Sequence, residues 1–386
     1  MDKTLLISEI FPPRHGGSGR WFVELYSRLP RDGFVICAGS TDGDEASDEQ
    51  LKKQLFIERR PLSSGSWGIK SFEGLGFYWR SFRYLSKLIR QNDITRIHCG
   101  RCLPEGVMGL MLNLRYGLPF LCYVHGEDIQ TAAESRELTW LIRRVFARAT
   151  TLIANSHNTA RILRDSWQVP DDKVKVLHPG MDAERFVPAA NDAEFRSRMG
   201  WNDRPVILTV GRLQRRKGQD MLIGALPAVI QSHPNVLYAI VGNGDERERL
   251  ETLAEEHKVQ DNVMFLGEID DAQMVQCYQQ CTLFCLPNRT ERADIEGFGM
   301  VLAEAQACGK AVVAGDSGGT RETMRIGETG LIVDCTAPEP LATSLNQLLS
   351  SPEQIAAMGE AGRAFVTEHF DWPVHVTKAR EVFKAL

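Results

Sequence analysis

A chain of 386 residues, 43% of them hydrophobic and 25% charged, is too long for one ordinary core and has a globular balance, which points to two domains. No apolar run approaches the ~20 residues that cross a bilayer, the run in "MDKTLLISEIFPPRHGG" is too short for a secretory signal, and nine scattered cysteines suit a reducing, cytoplasmic setting. Net charge is -5, yet residues 1–188 hold 26 Lys and Arg against 22 Asp and Glu, the remainder 19 against 28, and residues 51–101 alone 11 against 3. Two halves with different partners are expected, nucleic acid not among them.

In chain order, short β-rich runs alternate with amphipathic helical patterns, as in parallel α/β layers. In the first half "TLLISEI", "GFVICAG", "ITRIHC", "FLCYVHG" and "TLIANS" read as strands. Residues 67–90, "WGIKSFEGLGFYWRSFRYLSKLIR", admit two readings. One is an amphipathic helix whose aromatics enter the core and whose bases face water. The other is an interfacial surface for an anionic or lipid-linked acceptor. "CGRC", Cys99 to Cys102, has the spacing of a redox motif, but no second such pair offers a zinc site, and packing cysteines are expected. "VLHPGMDAERFVPAANDAEF" reads as an interdomain linker. The pattern then restarts with "PVILTVG", "VLYAIVG", "VMFLG", "TLFCLP", "AVVAGD" and "GLIVD". The fold class is α/β, with two Rossmann-like doubly wound domains facing across a cleft and joined near residues 180–192. Ligands of such sheets bind at the carboxyl ends of the strands. Cys277, Cys281 and Cys285 run from a helix into a strand, cannot share one face, and are expected in the core.

Two strand-to-helix turns carry the chemistry. In "VGRLQRRKGQD" Arg212 and Lys217 are placed to bind an anion, Arg with two donors and Lys with a point charge; Arg215 and Arg216 are expected to be solvated. In "RADIEGFGMVLAEAQACG" Gly297 and Gly299 allow close backbone approach to a helix start that attracts phosphate. Glu304 should lean back toward that ligand end, where a carboxylate accepts from sugar hydroxyls, and Glu296 should reach a second polyol. The plainer alternatives are a loop-satisfying Glu304 and a surface Glu296. "HGGSGRWF" fails G-x-G-x-x-G because Phe22 replaces the third glycine, which disfavours a dinucleotide. Asp270 or Asp271 is expected to cap the helix "AQMVQCYQQC".

With "PPRHGGSGR", "VHGED", "PGMDAERF", "VGNGDERERL" and "FDWPVHVTKAREVF" in the same order, these motifs make the chain resemble, over its whole length, the retaining glycosyltransferases of family four, of GT-B fold. The motifs are most similar to the phosphatidylinositol mannosyltransferase-like branch. The resemblance implies an acceptor-side domain at 1–186, with a last helix at 370–386 packing back on it, and a nucleotide-sugar donor domain at 187–369. It implies that Glu304 holds the donor ribose and Glu296 the donor sugar, and that amides of Gly297, Phe298, Gly299 and Met300 meet the sugar and diphosphate. Arg212 and Lys217 would neutralise the departing diphosphate, Gly16 and Gly17 would let the first helix aim its amides at phosphate, and His125 would lie beside the transferred sugar. Ile269 and Asp271 would flank the base; a carboxylate there accepts two guanine N–H groups but only one from uracil, which favours GDP-mannose over a UDP-sugar. No cofactor and no catalytic metal are expected. The acceptor would be a glycan or a lipid-linked sugar, with peripheral contact of residues 51–101 on an anionic membrane. A UDP-sugar-dependent retaining transferase with a soluble acceptor and a catalytically silent nucleotide-sugar-binding module are the alternatives.

Overall fold

Among the described residues thirteen strands form two parallel sheets, each within its own compact unit. The computed structural model describes residues 2–14, 16–65 and 67–384. One unit comprises residues 1–180 and 373–386, the other residues 181–372.

The first unit runs β1 (Thr4–Ser8), α1 (Gly17–Ser27), β2 (Phe34–Gly39), α2 (Asp44–Leu51), β3 (Ile57–Arg60), α3 (Phe72–Asn92), β4 (Arg96–Cys99), α4 (Val107–Tyr116), β5 (Phe120–Val124), α5 (Glu127–Ala133), α6 (Arg136–Arg148), β6 (Thr151–Ala154), α7 (His157–Asp165) and β7 (Val174–Val176). Its strand order is β3-β2-β1-β4-β5-β6-β7. β1 and β5 are buried along their whole length, the near-continuous apolar run that covering both faces of a parallel sheet requires. The two outermost strands, β3 "IERR" and β7 "VKV", were not expected from the sequence. They are short and charged, as sheet edges facing water tend to be, so they lack the apolar run that marks a strand. Side-chain oxygens of Ser71, Ser135 and Ser156 accept from the first turns of α3, α6 and α7, fixing where those helices begin.

The second unit runs α8 (Ala193–Arg198), β8 (Val206–Val210), α9 (Gln219–Ser232), β9 (Leu237–Val241), α10 (Arg247–Glu256), β10 (Val263–Gly267), α11 (Asp271–Gln280), β11 (Leu283–Leu286), α12 (Met300–Ala307), β12 (Val312–Gly315), β13 (Gly330–Val333), α13 (Pro338–Leu349) and α14 (Pro352–Phe370). The strand order is β10-β9-β8-β11-β12-β13. All nine cysteines are free and buried. Cys277 and Cys281 enter the core on one side of this sheet and Cys285 the core on the other.

The last helix, α15 (Trp372–Lys384), starts at the final residue of the second unit and belongs to the first from Pro373 onward. There the Trp21 indole donates to His375 Nε2 at 2.9 Å, and Phe383 stacks on Tyr26. Residues 385–386 of the expected terminal helix lie outside the described residues, as does His15 of "HGGSGRWF". Residues 181–186, expected with the first domain, sit in the second unit. Met181 N donates to Phe370 O, Arg363 donates to the Ala183 and Phe186 carbonyls, and the Phe186 ring meets Tyr278 edge-on. The apparent linker "MDAERF" is thus fastened to one side.

Candidate functional site

Open parallel sheets bind ligands where the strand order reverses. In the second unit that point lies between β8 and β11, whose carboxyl ends lead into residues 211–218 and 287–299. These are the two turns singled out in the sequence.

A 3-10 turn at Arg215–Lys217 brings two cations onto one carboxylate oxygen. Arg216 Nη1 and Lys217 Nζ both donate to Glu296 Oε2, at 2.7 and 2.5 Å, and Arg216 Nε pairs with Asp294 at 3.0 Å. Burial opposes charge on Glu296, but Lys217 and then Arg216 overcome it and hold the carboxyl at about 2. Glu296 is therefore buried, against the plainer alternative of a surface acid, and one expectation is corrected: Arg216, expected in solvent, is only 5% exposed. Three residues per turn separate neighbouring side chains by roughly 120°, so Arg215 stays outside, near Glu246, while Arg216 turns inward.

The backbone of Glu296 is held from behind. Its N–H donates to Ser317 Oγ and its carbonyl accepts from Gly319 N at 2.9 Å. That approach needs glycine at 318, where φ is +59° and a Cβ would lie 1.9 Å from the Glu296 carbonyl oxygen. Gly299 precedes α12 with φ +93° and no side chain caps the helix start, so the leading amides and the positive end of the dipole remain for an anion. Phe298 is committed to the core against Phe370, and Met300 packs partly buried on the same core. Glu304 is buried one turn into α12, and its Oε2 accepts from the Tyr278 hydroxyl at 2.9 Å.

Arg212 is exposed and, among the described residues, forms no ion pair. Its carbonyl is fixed by Gln219 Nε2. On β10–α11, Ile269 packs partly buried on the core. Asp270 caps α11, accepting from Gln273 N at 2.8 Å, whereas Asp271 is exposed and pairs with Arg185 at 2.8 Å. Sequence reasoning missed Asp294, Tyr278 and a buried cluster in which Asp220 accepts from both Arg249 and Arg289. Only Asp294 left a signal, standing two residues before Glu296; Tyr278 reads as one more apolar position of a helix.

In the first unit the order reverses between β1 and β4, leading into residues 9–16 and 100–106. Gly16 is extended and α1 begins at Gly17. The loop after β1 is tied at Glu9 and at Pro12. Glu9 N donates to Glu105 Oε1 at 2.7 Å, and Arg59, paired with Asp48, donates to the Pro12 carbonyl. Burial raises the Glu105 carboxyl to about 7. His125 directly follows β5 and lies buried beside Trp21 and Phe22. Its Nε2 meets the Gly100 carbonyl at 2.9 Å, so Nε2 carries the proton, and burial lowers its basicity. A cavity of about 560 Å³ opens beside this loop, lined by Glu9, Arg14, Trp67, Ser135 and Glu137 among others. Glu137 shapes its wall by accepting from the Ile69 and Lys70 amides. Cys102 lies buried with its thiol pushed up by that burial, the reverse of what a redox cysteine needs.

The sequence matches known proteins along its whole length. Residues 191–365 fit the family described as glycosyl transferases group 1, and residues 15–185 glycosyltransferase family 4. The chain is 31% identical to a GDP-mannose-dependent alpha-(1-6)-phosphatidylinositol monomannoside mannosyltransferase of Mycolicibacterium smegmatis, over 98% of this chain and 97% of the relative. A GDP-mannose-dependent monoacylated alpha-(1-6)-phosphatidylinositol monomannoside mannosyltransferase of Corynebacterium glutamicum is 30% identical over 96% and 95%. Among solved structures, the Anabaena protein Alr3699/HepE in complex with UDP superposes with a TM-score of 0.82 at 21% identity, over the whole of both chains. WaaG, a glycosyltransferase involved in lipopolysaccharide biosynthesis, superposes with 0.74 at 20% identity, over 98% and 99%.

Proposed function

This chain belongs to the glycosyltransferases of group 1 and family 4, of GT-B fold, and from that premise we propose that it moves mannose from GDP-mannose to a phosphatidylinositol-type, lipid-linked acceptor, with retention of configuration and without a catalytic metal. The observation that carries the reading is the cluster at the β8–β11 reversal, where Lys217, Arg216, Glu296 and the open start of α12 surround one point. A nucleoside-diphosphate sugar presents what this cluster accepts: a diphosphate for the cations and helix start, a ribose for Glu304 and a sugar for Glu296. As the glycosidic C–O bond breaks, negative charge grows on the departing phosphate. Arg212 and Lys217 stabilise that charge, an interaction stronger in the transition state than before it. Attack on the same face through an ion-pair-like state, or double displacement, then returns the original configuration. The GDP-mannose-dependent relatives, matched over nearly their whole length, support the choice of base and sugar.

Acceptor and membrane belong to the first unit in this reading. The 560 Å³ cavity falls within the ~300–1,000 Å³ of small-ligand sites, and its tryptophan, carboxylates and Arg14 suit a polyhydroxylated ring carrying phosphate. On α3, Phe72, Leu75 and Trp79 are exposed next to Arg80 and Arg83, which supports peripheral contact with anionic lipid. A donor panel of GDP-mannose, UDP-glucose and ADP-glucose, assayed on phosphatidylinositol and its mannosides with and without chelator, tests the proposal. Chelator-insensitive transfer from GDP-mannose giving an α-anomer is expected. Preference for UDP-glucose would replace the donor, and nucleotide binding with neither transfer nor hydrolysis would identify a silent binding module.

A further inference from the structure

Two cations meet on Glu296. Lys217 ends the 3-10 turn and pairs with that acid. Arg216 is braced on its other side by Asp294, and its carbonyl accepts from Arg289 N at 2.9 Å. Both donate to the same oxygen, Oε2, which leaves Glu296 Oε1 for a ligand. When a diphosphate enters, Lys217 must answer it as well as Glu296, whereas Arg216 stays braced between Glu296 and Asp294. We propose that Arg216 is a positioning residue of this site. It stays on Glu296 and balances that carboxylate, so that Lys217 is released to the diphosphate while Glu296 keeps its second oxygen aimed at the sugar. The inference rests on the donor-site reading above.

A merely structural arginine and this one differ in how Glu296 modifies their loss. Without Arg216, the buried Glu296 carboxylate holds Lys217 as its only remaining cation, and the diphosphate must compete for it. Removing the Glu296 charge then frees Lys217 again, which is a coupling a double-mutant cycle measures. GDP and UDP are titrated calorimetrically into the wild type, Arg216→Gln, Arg216→Lys, Glu296→Gln and the double variant Arg216→Gln/Glu296→Gln. We expect Arg216→Gln to weaken binding of the preferred nucleotide about 10-fold, the size of a lost charge-assisted contact. Arg216→Lys should recover most of the loss, and the double variant should bind within about 3-fold of wild type. Asp294→Asn, which removes only the brace, should weaken binding in the same direction, and carries the test should Arg216→Gln fail to fold. Unchanged affinity in Arg216→Gln, or no recovery in the double variant, would overturn the proposal. A wild type that binds neither nucleotide would overturn the donor-site reading beneath it.

Discussion

Glu304 and Glu296 make opposite kinds of contact, and that separates their expected effects. Glu304 is oriented by a neutral hydroxyl, from Tyr278, and in the proposed reading it meets the ribose. Glu304→Gln should therefore weaken free GDP by ~10-fold, the loss of one hydrogen bond to a charged group, and GDP-mannose by as much. Glu296 is bound by two cations, so Glu296→Gln should leave GDP affinity undiminished and reduce turnover. Calorimetry with GDP and initial rates with GDP-mannose read the two apart; equal effects of both variants on both measurements would refute the assignment. Sequence placed both acids at one helix start but gave no partner to either. Which cations answer Glu296 depends on β8 lying next to β11, a pairing of strands about 75 residues apart that no local pattern encodes.

Helix α11 and the β1–α1 loop show how a single acid can serve an element instead of a ligand. Asp270 caps α11, so Asp270→Ala should cost about 1 kcal/mol in urea unfolding. Asp271 is exposed on Arg185, and Asp271→Ala should stay within about 0.5 kcal/mol, as exposed ion pairs do, while lowering affinity for GDP and sparing UDP. Loss of stability at Asp271 with no effect on GDP would remove it from the base site. Glu105 tethers the loop before α1. Burial raises its carboxyl from 4.5 to about 7, so the folded chain holds this proton more tightly than the unfolded one. Its favourable contribution is complete below about 4.5 and is lost as pH rises to about 7. Glu105→Gln keeps an acceptor for Glu9 N but cannot ionise. Its melting temperature relative to wild type should therefore climb between those limits and level off above them; a difference independent of pH would show that Glu105 does not titrate there.

At the scale of the molecule, the first unit is the one with surplus positive charge in residues 51–101, and it also carries exposed apolar side chains. The structure divides the two readings of residues 67–90 by residue. Phe77 and Tyr78 enter the core, whereas Phe72 is 96% and Trp79 58% exposed. Each Lys or Arg beside an anionic leaflet contributes ~1 kcal/mol, fading within a Debye length. The protein should sediment with anionic but not neutral liposomes at low salt, be released by added salt, and bind ~10-fold or more weakly as Arg80→Glu with Arg83→Glu. No sedimentation at low salt would leave α3 an ordinary amphipathic helix and point to a soluble acceptor.

The sequence by itself determined the α/β class, eleven well-marked strands and the two turns that carry the candidate site, because apolar periodicity and glycine placement are local consequences of burial and backbone sterics. The outer strands β3 and β7 escaped it, since a strand paired on one side tolerates charges that erase its pattern. Only the tertiary structure decided that Arg216 is buried and Arg215 is not, that "MDAERF" fastens to the second unit, and that Gly318 lies against Glu296. Each of these is a contact between segments distant in sequence, set by strand order and close packing, and one-dimensional spacing carries no record of it.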